Sequence, residues 1–313
     1  MSRISRARTL SLGAFPGLLA VGACAQAEAP AVETDRVASA SFSTGSVAYY
    51  VPAVPRDVLV LVHGYPWPDD SRSSDQLIEH AESYVERWQP FAARERFVLV
   101  APAFGSGDFA GYRQLFGRRV DADEFVNLVV DSIGGRFVAD FDGRFYLYGH
   151  SAGGQFASRY VVARPHRLKG ALLSAPSTYP FPDTTVQWPY GTAPVIRTEE
   201  FSGGPQTGKD PARSAGTSYR PDPERWVAAA AGVPIGVVVG SADIEPRTER
   251  RSQPGLTRVE RARAWVDTMR ALALSVDAEP VLLLRLVDGI AHDPVALTES
   301  SQDLLLELIE ANR

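Results

Sequence analysis

The stretch Tyr146-Leu147-Tyr148-Gly149-His150-Ser151-Ala152-Gly153-Gly154 carries an apolar run straight into a G-x-S-x-G turn. Arg144 to Tyr148 supply Phe, Tyr, Leu and Tyr without a breaker, after the turn signal Asp142-Gly143. That pattern predicts a short strand, then a helix from Gln155 to about Ala163. A serine on such a corner occupies strained backbone, and Gly149 and Gly153 are small where the chain closes on itself. The corner lifts the Ser151 hydroxyl out of the sheet, and the next helix aims its free N–H groups and positive end at the same spot. An anion forming on a substrate carbonyl would be stabilised there. The plain alternative is a glycine-rich turn with an incidental serine, so residues elsewhere in the chain must decide.

On either side of this corner, apolar runs alternate with helical periods. Arg36 to Val51 read as a hairpin around Ser43-Thr44-Gly45 at a sheet edge. Val58 to Val62 is a continuous apolar run typical of a strand buried on both faces, ending in His63-Gly64-Tyr65-Pro66-Trp67-Pro68. Ser71 to Phe91 follow as a helix with Ile78, Ala81, Val85, Trp88 and Phe91 on one stripe. Further strands are expected at Phe97–Ala101, Gly170–Ser174, Val233–Gly240 and Val281–Val287. A helix from about Asp121 to Phe137 should turn Phe125, Leu128, Val129 and Ile133 inward. Thr257 with Glu260 three residues on forms a capping box for a helix burying Val259, Ala262, Val266 and Met269. Asp293-Pro294 should open the last helix, which ends near Ala311. The rhythm implies an α/β fold: one domain, a mostly parallel sheet, helices on both faces. Only Ala175 to Glu224, rich in proline and glycine, breaks it.

The 45% hydrophobic and 22% charged content is that of an ordinary globular protein. Arg3, Arg6 and Arg8 precede an apolar run from Leu10 to Val21 that is too short to span a bilayer permanently, and small residues follow at Ala23-Cys24-Ala25-Gln26-Ala27. Residues 1–25 therefore read as a signal segment for export, with 26–313 as the catalytic domain. Signal-peptide cleavage at an A-x-A site and lipoprotein processing at Val21-Gly22-Ala23-Cys24, which would leave a lipid anchor on Cys24, both fit. Cys24 is the one cysteine, so neither route permits an internal disulfide. Losing the three arginines takes the net charge from −5 to about −8, which argues against nucleic acid as a partner. One cysteine and no histidine pair at ligand spacing offer no metal site, and no cofactor is implied.

A serine hydroxyl needs a base within hydrogen-bond reach, and the chain has five histidines. His80 on a helix and His166 in a surface turn suit packed or solvated roles. His63 precedes the serine, and His150, fixed in the corner, should face away from the serine's partner. His292 follows the last strand at the carboxyl edge of the sheet, where α/β sites gather. Among carboxylates, Asp288 before Gly289 and Asp293 before Pro294 have local turn or cap roles, and Glu245 is a further competitor. Asp243, ending an uninterrupted apolar strand, has no such local explanation. Ser151, Asp243 and His292 are thus the catalytic candidates. The N–H of Ala152 and that of Tyr65, in the turn after Val58–Val62, are the oxyanion-hole candidates.

His63-Gly64, Gly149-His150-Ser151-Ala152-Gly153, Gly240-Ser241-Ala242-Asp243 and His292 together resemble the α/β-hydrolase family over roughly Arg56 to Ala311. The resemblance implies a serine hydrolase working through an acyl-enzyme, with a cap insertion at about residues 175–226. Tyr179, Phe181, Trp188 and Tyr190 lie among prolines in that insertion. They offer either aromatic surface for a substrate or anchors for a long loop. Tyr179-Pro180-Phe181-Pro182-Asp183, Trp188-Pro189-Tyr190-Gly191 and Arg258-Val259-Glu260-Arg261-Ala262 are similar to an exported bacterial depolymerase branch. That branch is related to polyhydroxybutyrate depolymerases and includes poly(aspartic acid) hydrolase. It implies cleavage of ester or amide bonds in a polymer. A carboxylesterase or lipase for small esters and a binding protein on the same scaffold are the rival readings. Arg213, Arg220, Arg225, Arg247, Arg250 and Arg251 could steer an acidic polymer, or simply form a solvated charged loop.

Overall fold

The two ends of the long apolar runs set the architecture. The computed structural model describes residues 35–65, 73–105, 107–117, 120–193, 195–196, 218–219, 222–247 and 253–311. The signal segment, Cys24, Ser71 and most of residues 194–221 lie outside them. Eight strands form the main sheet: β1 (Val37–Phe42), β2 (Gly45–Tyr50), β3 (Asp57–Val62), β4 (Phe97–Pro102), β5 (Phe145–His150), β6 (Leu168–Ser174), β9 (Ile235–Gly240) and β10 (Leu282–Val287). Two-residue strands β7 (Val195–Ile196) and β8 (Ser218–Tyr219) pair separately. The sheet order is β1-β2-β4-β3-β5-β6-β9-β10. β1 and β2 form the expected antiparallel edge hairpin, while β3 to β10 run parallel.

Why the central runs are apolar throughout is visible in β3. Val58, Val60 and Val62 enter the core on one face, and Leu59 and Leu61 enter the core on the other. Helices α1 (Ser74–Glu95) and α6 (Thr298–Ala311) contribute to the second core. α2 (Ala122–Phe137), α3 (Ala152–Ala163), α4 (Pro223–Gly232) and α5 (Arg258–Leu274) contribute to the first. α1 starts at a capping box formed by Ser73 and Gln76 and runs on through Pro90. α5 starts at the anticipated Thr257–Glu260 box, and its anticipated stripe is buried.

Four expectations are corrected. Leu128 is 47% exposed, and Val126 and Val130 are buried in its place. Both flanks of α2 are apolar there, so periodicity alone could not choose between them. α3 begins at Ala152, directly after the serine, instead of at Gln155. α6 begins at Thr298 instead of at Asp293-Pro294; turns precede it, in which the Asp293 carboxylate accepts from the N–H groups of Val295 and Ala296. α4 was not anticipated at all; its alanine run sits beside the proline-rich insertion and carries Trp226 into the core.

Candidate active site

Chain order reverses across the sheet between β3 and β5, which is where an α/β sheet opens a crevice at its carboxyl edge. Ser151 sits there with φ 54° and ψ −108°, the strained corner that the glycine spacing implied. A Cβ on Gly153 would lie 1.9 Å from the Val62 carbonyl oxygen, and one on Gly149 2.1 Å from that of Gly153. No larger residue fits at either place. The Ser151 N–H donates to the Ser174 carbonyl at the end of β6 (2.8 Å), which locks the corner to the neighbouring strand.

Asp243 and His292 come from the ends of β9 and β10. The two loops are stitched together: Ser241 N–H donates to Val287 O (2.8 Å) and Ala242 N–H to Ile290 O (2.9 Å). As a result, side chains far apart in sequence converge. His292 Nε2 lies 2.9 Å from Ser151 Oγ, and His292 Nδ1 lies 2.8 Å from Asp243 Oδ2. With Nδ1–H donated to the carboxylate, Nε2 is the acceptor that faces the hydroxyl. The rival carboxylates are engaged elsewhere. Asp288 accepts from Ser241 Oγ, Asp293 from the N–H groups of Val295 and Ala296, and Glu245 is exposed beside Arg247.

The candidate oxyanion donors flank Ser151. Ala152 is the first residue of α3, where N–H groups have no acceptor within the helix. Gly64 packs against Ser151, since a Cβ there would meet the serine Cβ at 3.5 Å. Its N–H is taken by Tyr84 Oη (3.1 Å), and its carbonyl accepts from His63 Nδ1 (2.7 Å). A planar trans peptide with its carbonyl held toward His63 points the Tyr65 N–H the opposite way. Arg113 lies over the Tyr65 ring, 5.3 Å from its centroid. Among the described residues no carboxylate pairs with that guanidinium.

Two neighbours of His292 and Asp243 went unseen in the sequence. His150 was expected to face away, yet its ring centroid lies 5.0 Å from that of His292, tilted by 30°. Its Nδ1 is within 3.0 Å of Ser174 Oγ. Burial, then the nearby His292 and Arg258, push His150 well below the ordinary imidazole range, so a neutral ring covers one face of His292. Arg258 donates from Nη1 to Asp243 Oδ1 (2.7 Å), both side chains being about 95% buried or more. Burial alone would raise the Asp243 pKa; the His292 hydrogen bond and the Arg258 charge outweigh it and hold the carboxyl below its usual range. The sequence did signal that Arg258 faces the core, though not which partner it meets. Arg258 and Arg261 occupy the same stripe of α5 as Ala262, Trp265 and Met269, where a core-facing helix otherwise carries apolar residues.

The four aromatic candidates of the insertion behave differently. Tyr179 is fully buried and stacks on Trp265 at 5.2 Å, and Trp188 is 1% exposed and donates Nε1–H to Gln114 O (3.2 Å). These two are anchors of the long loop, which corrects the expectation of aromatic surface. Phe181 is nearly buried too, and with half-buried Tyr190 it lines a cavity of about 280 Å³ that includes none of Ser151, Asp243 or His292. Of the six arginines, Arg213, Arg220, Arg250 and Arg251 lie outside the described residues. Arg225 donates to Ala163 O and pairs with Asp222, and Arg247 pairs with Glu245.

Comparison with the curated proteins returns no sequence match. Among solved structures, the chain is similar to poly(aspartic acid) hydrolase-1 from Sphingomonas sp. KT-1. The TM-score is 0.66 and the identity 20%, over 88% of this chain and 100% of that one. LpqC, a poly(3-hydroxybutyrate) depolymerase from Bordetella parapertussis, matches with TM-score 0.59 and 22% identity, over 85% of this chain and 87% of that one. An S-formylglutathione hydrolase from Agrobacterium tumefaciens matches with TM-score 0.52 and 16% identity, over 88% and 94%. At these identities the likeness is one of fold. The model of the alpha/beta hydrolase family matches residues 59–310, most of the chain, and the protein belongs to that family.

Proposed function

We propose that the protein is an exported serine hydrolase that cleaves ester or amide bonds through an acyl-enzyme. The observation that carries this reading is a single imidazole bridging Ser151 Oγ at 2.9 Å and the buried Asp243 carboxylate at 2.8 Å. In this reading His292 Nε2 takes the proton of Ser151 as Oγ attacks the substrate carbonyl carbon. Asp243 keeps Nδ1 protonated and steadies the imidazolium. The N–H groups of Ala152 and Tyr65 stabilise the tetrahedral oxyanion, each at the order of 3 kcal/mol of barrier. The imidazolium then protonates the leaving oxygen or nitrogen, leaving Ser151 acylated. Water, activated by His292, attacks the ester and releases the acid. Export rests on the arginine-led apolar segment at the amino terminus.

For the substrate, the reading is a polymer, poly(aspartic acid) by preference. It rests on the resemblance of the insertion fragments, on the likeness to a poly(aspartic acid) hydrolase and a poly(3-hydroxybutyrate) depolymerase, and on Arg113. That guanidinium, stacked on Tyr65 beside the candidate oxyanion donor, is placed to meet a carboxylate on an acidic chain. Burial of Tyr179 and Trp188 favours a second reading, a small-ester carboxylesterase, because it removes the aromatic platform a solid polymer would need. A screen with polyaspartate, polyhydroxybutyrate and p-nitrophenyl esters separates these readings, with Ser151→Ala as the control. Ser151 is expected to be labelled by a fluorophosphonate in folded wild-type protein. Absence of labelling would favour a scaffold that binds without turnover.

A further inference from the structure

A second buried charge touches the candidate acid. Asp243 divides its carboxylate between His292 Nδ1 on Oδ2 and Arg258 Nη1 on Oδ1, at 2.8 and 2.7 Å. Arg258 is the first residue of α5, and that first turn is fastened on several sides. Thr257 and Glu260 cap it, and Arg261 donates to the carbonyls of Gly255, Ser177 and Arg247. Ser177 Oγ in turn accepts from Gln155, one turn after Ser151 on α3. The guanidinium therefore reaches the acid from a rigid element that also grips the insertion and, through it, the helix of the nucleophile.

We propose that Arg258 is a positioning residue of the hydrolytic site, which holds Asp243 as an ion with Oδ2 on His292 and keeps the base active at lower pH. The proposal rests on the serine hydrolase reading above. A lone buried carboxylate has two ways to fail: it can rotate off the imidazole, or it can take up a proton. Arg258 opposes both, because it fills Oδ1 with a charge-assisted donor and supplies a fixed positive charge. Among the described residues, the other charged or titratable groups facing this cluster are His150 from the end of β5, Tyr179 from the insertion, Arg87 from α1, and Glu245 and Arg247 from the loop after β9. His150 and Tyr179 are buried and uncharged near neutral pH, Arg87 lies over the Tyr84 ring and reaches this cluster through His150, and Glu245 is exposed. Among the described residues, Arg258 is the one permanent cation in hydrogen-bond contact with the acid.

The sign follows from the carboxylate. Without the guanidinium Asp243 takes up a proton at a higher pH, which removes activity at a higher pH than in the wild type. The test is the pH profile of kcat/KM for p-nitrophenyl acetate in wild type, Arg258→Gln and Arg258→Lys, beside fluorophosphonate labelling of Ser151. Arg258→Gln is expected to move the acidic limb up by about one pH unit and lower the plateau about tenfold. Arg258→Lys restores the position of the limb, since the charge is back, but not the plateau, since the planar donor is lost. A limb of Arg258→Gln superimposed on that of the wild type overturns the proposal. If Arg258→Gln does not fold, Arg258→Lys decides: reduced kcat with KM unchanged supports it, and wild-type kcat overturns it. Failure of the wild type itself to label or turn over substrate would instead strike the hydrolase reading.

Discussion

The carboxyl edge of the sheet and the insertion between β6 and β9 were both expected to face substrate, and they ended in opposite places. At the edge, Ser151, Asp243 and His292 met within 3 Å contacts. In the insertion, Tyr179 and Trp188 turned into the core and hold the loop down. A residue that ends a buried parallel strand has one location open to it, because the strand beneath is held by both neighbours. A residue in an irregular, proline-rich segment has no period to say which way it points. Its direction is settled by what it meets: Trp265 for Tyr179, Gln114 for Trp188, and Gln253, which clasps both the N–H and the carbonyl of Tyr179.

Substitutions can break that contrast, the strongest first. His292→Ala should lower kcat on the order of 10⁴-fold or more while the unfolding midpoint stays put. Trp188→Ala should do the reverse, costing about 3–5 kcal/mol of stability with kcat per folded molecule unchanged. Urea unfolding alongside initial rates reads both. A Trp188→Ala protein of normal stability and raised KM would make Trp188 a substrate contact and erase the contrast. A smaller effect is expected at the edge from Tyr84→Phe. Loss of the acceptor for the Gly64 N–H loosens the turn that presents Tyr65, and kcat should fall about tenfold with little change in KM. An unchanged kcat would mean that this turn is held without Tyr84. The smallest effect belongs to the insertion. The Tyr179 hydroxyl is buried without a hydrogen-bond partner among the described residues, and burial pushes its pKa far up. Tyr179→Phe should therefore hold stability within about 1 kcal/mol or raise it. A loss of several times that amount would show the hydroxyl to be bonded in solution.

Much of the site was legible because the relevant chemistry sat at strand ends marked by glycine. Gly149 and Gly153 announced the corner, and the same spacing is what the close backbone contacts with Val62 and Gly153 require. The capping box at Thr257 was legible for a similar reason: it is closed by residues three apart. Leu128, the start of α6 and the helix α4 were not legible. In the first and last of these a local pattern admitted two outcomes and packing chose between them, while ahead of α6 a turn closed by Asp293 intervenes. His150 and Arg258 were hidden for a different reason. Nothing in a sequence says that the ring before the serine will lie along the base, or that the first residue of a helix will reach an aspartate fifteen positions earlier.

By itself, then, the amino-acid sequence determined the alternation of strands and helices, the strained serine corner, and the carboxyl-edge placement of Asp243 and His292. All of these depend on residues close together in the chain. Only the tertiary structure decided which aromatic side chains are core, which carboxylate reaches His292, and that a buried arginine shares it. Those outcomes depend on surfaces brought together from distant segments, and their free energy exists only once water has been excluded between them.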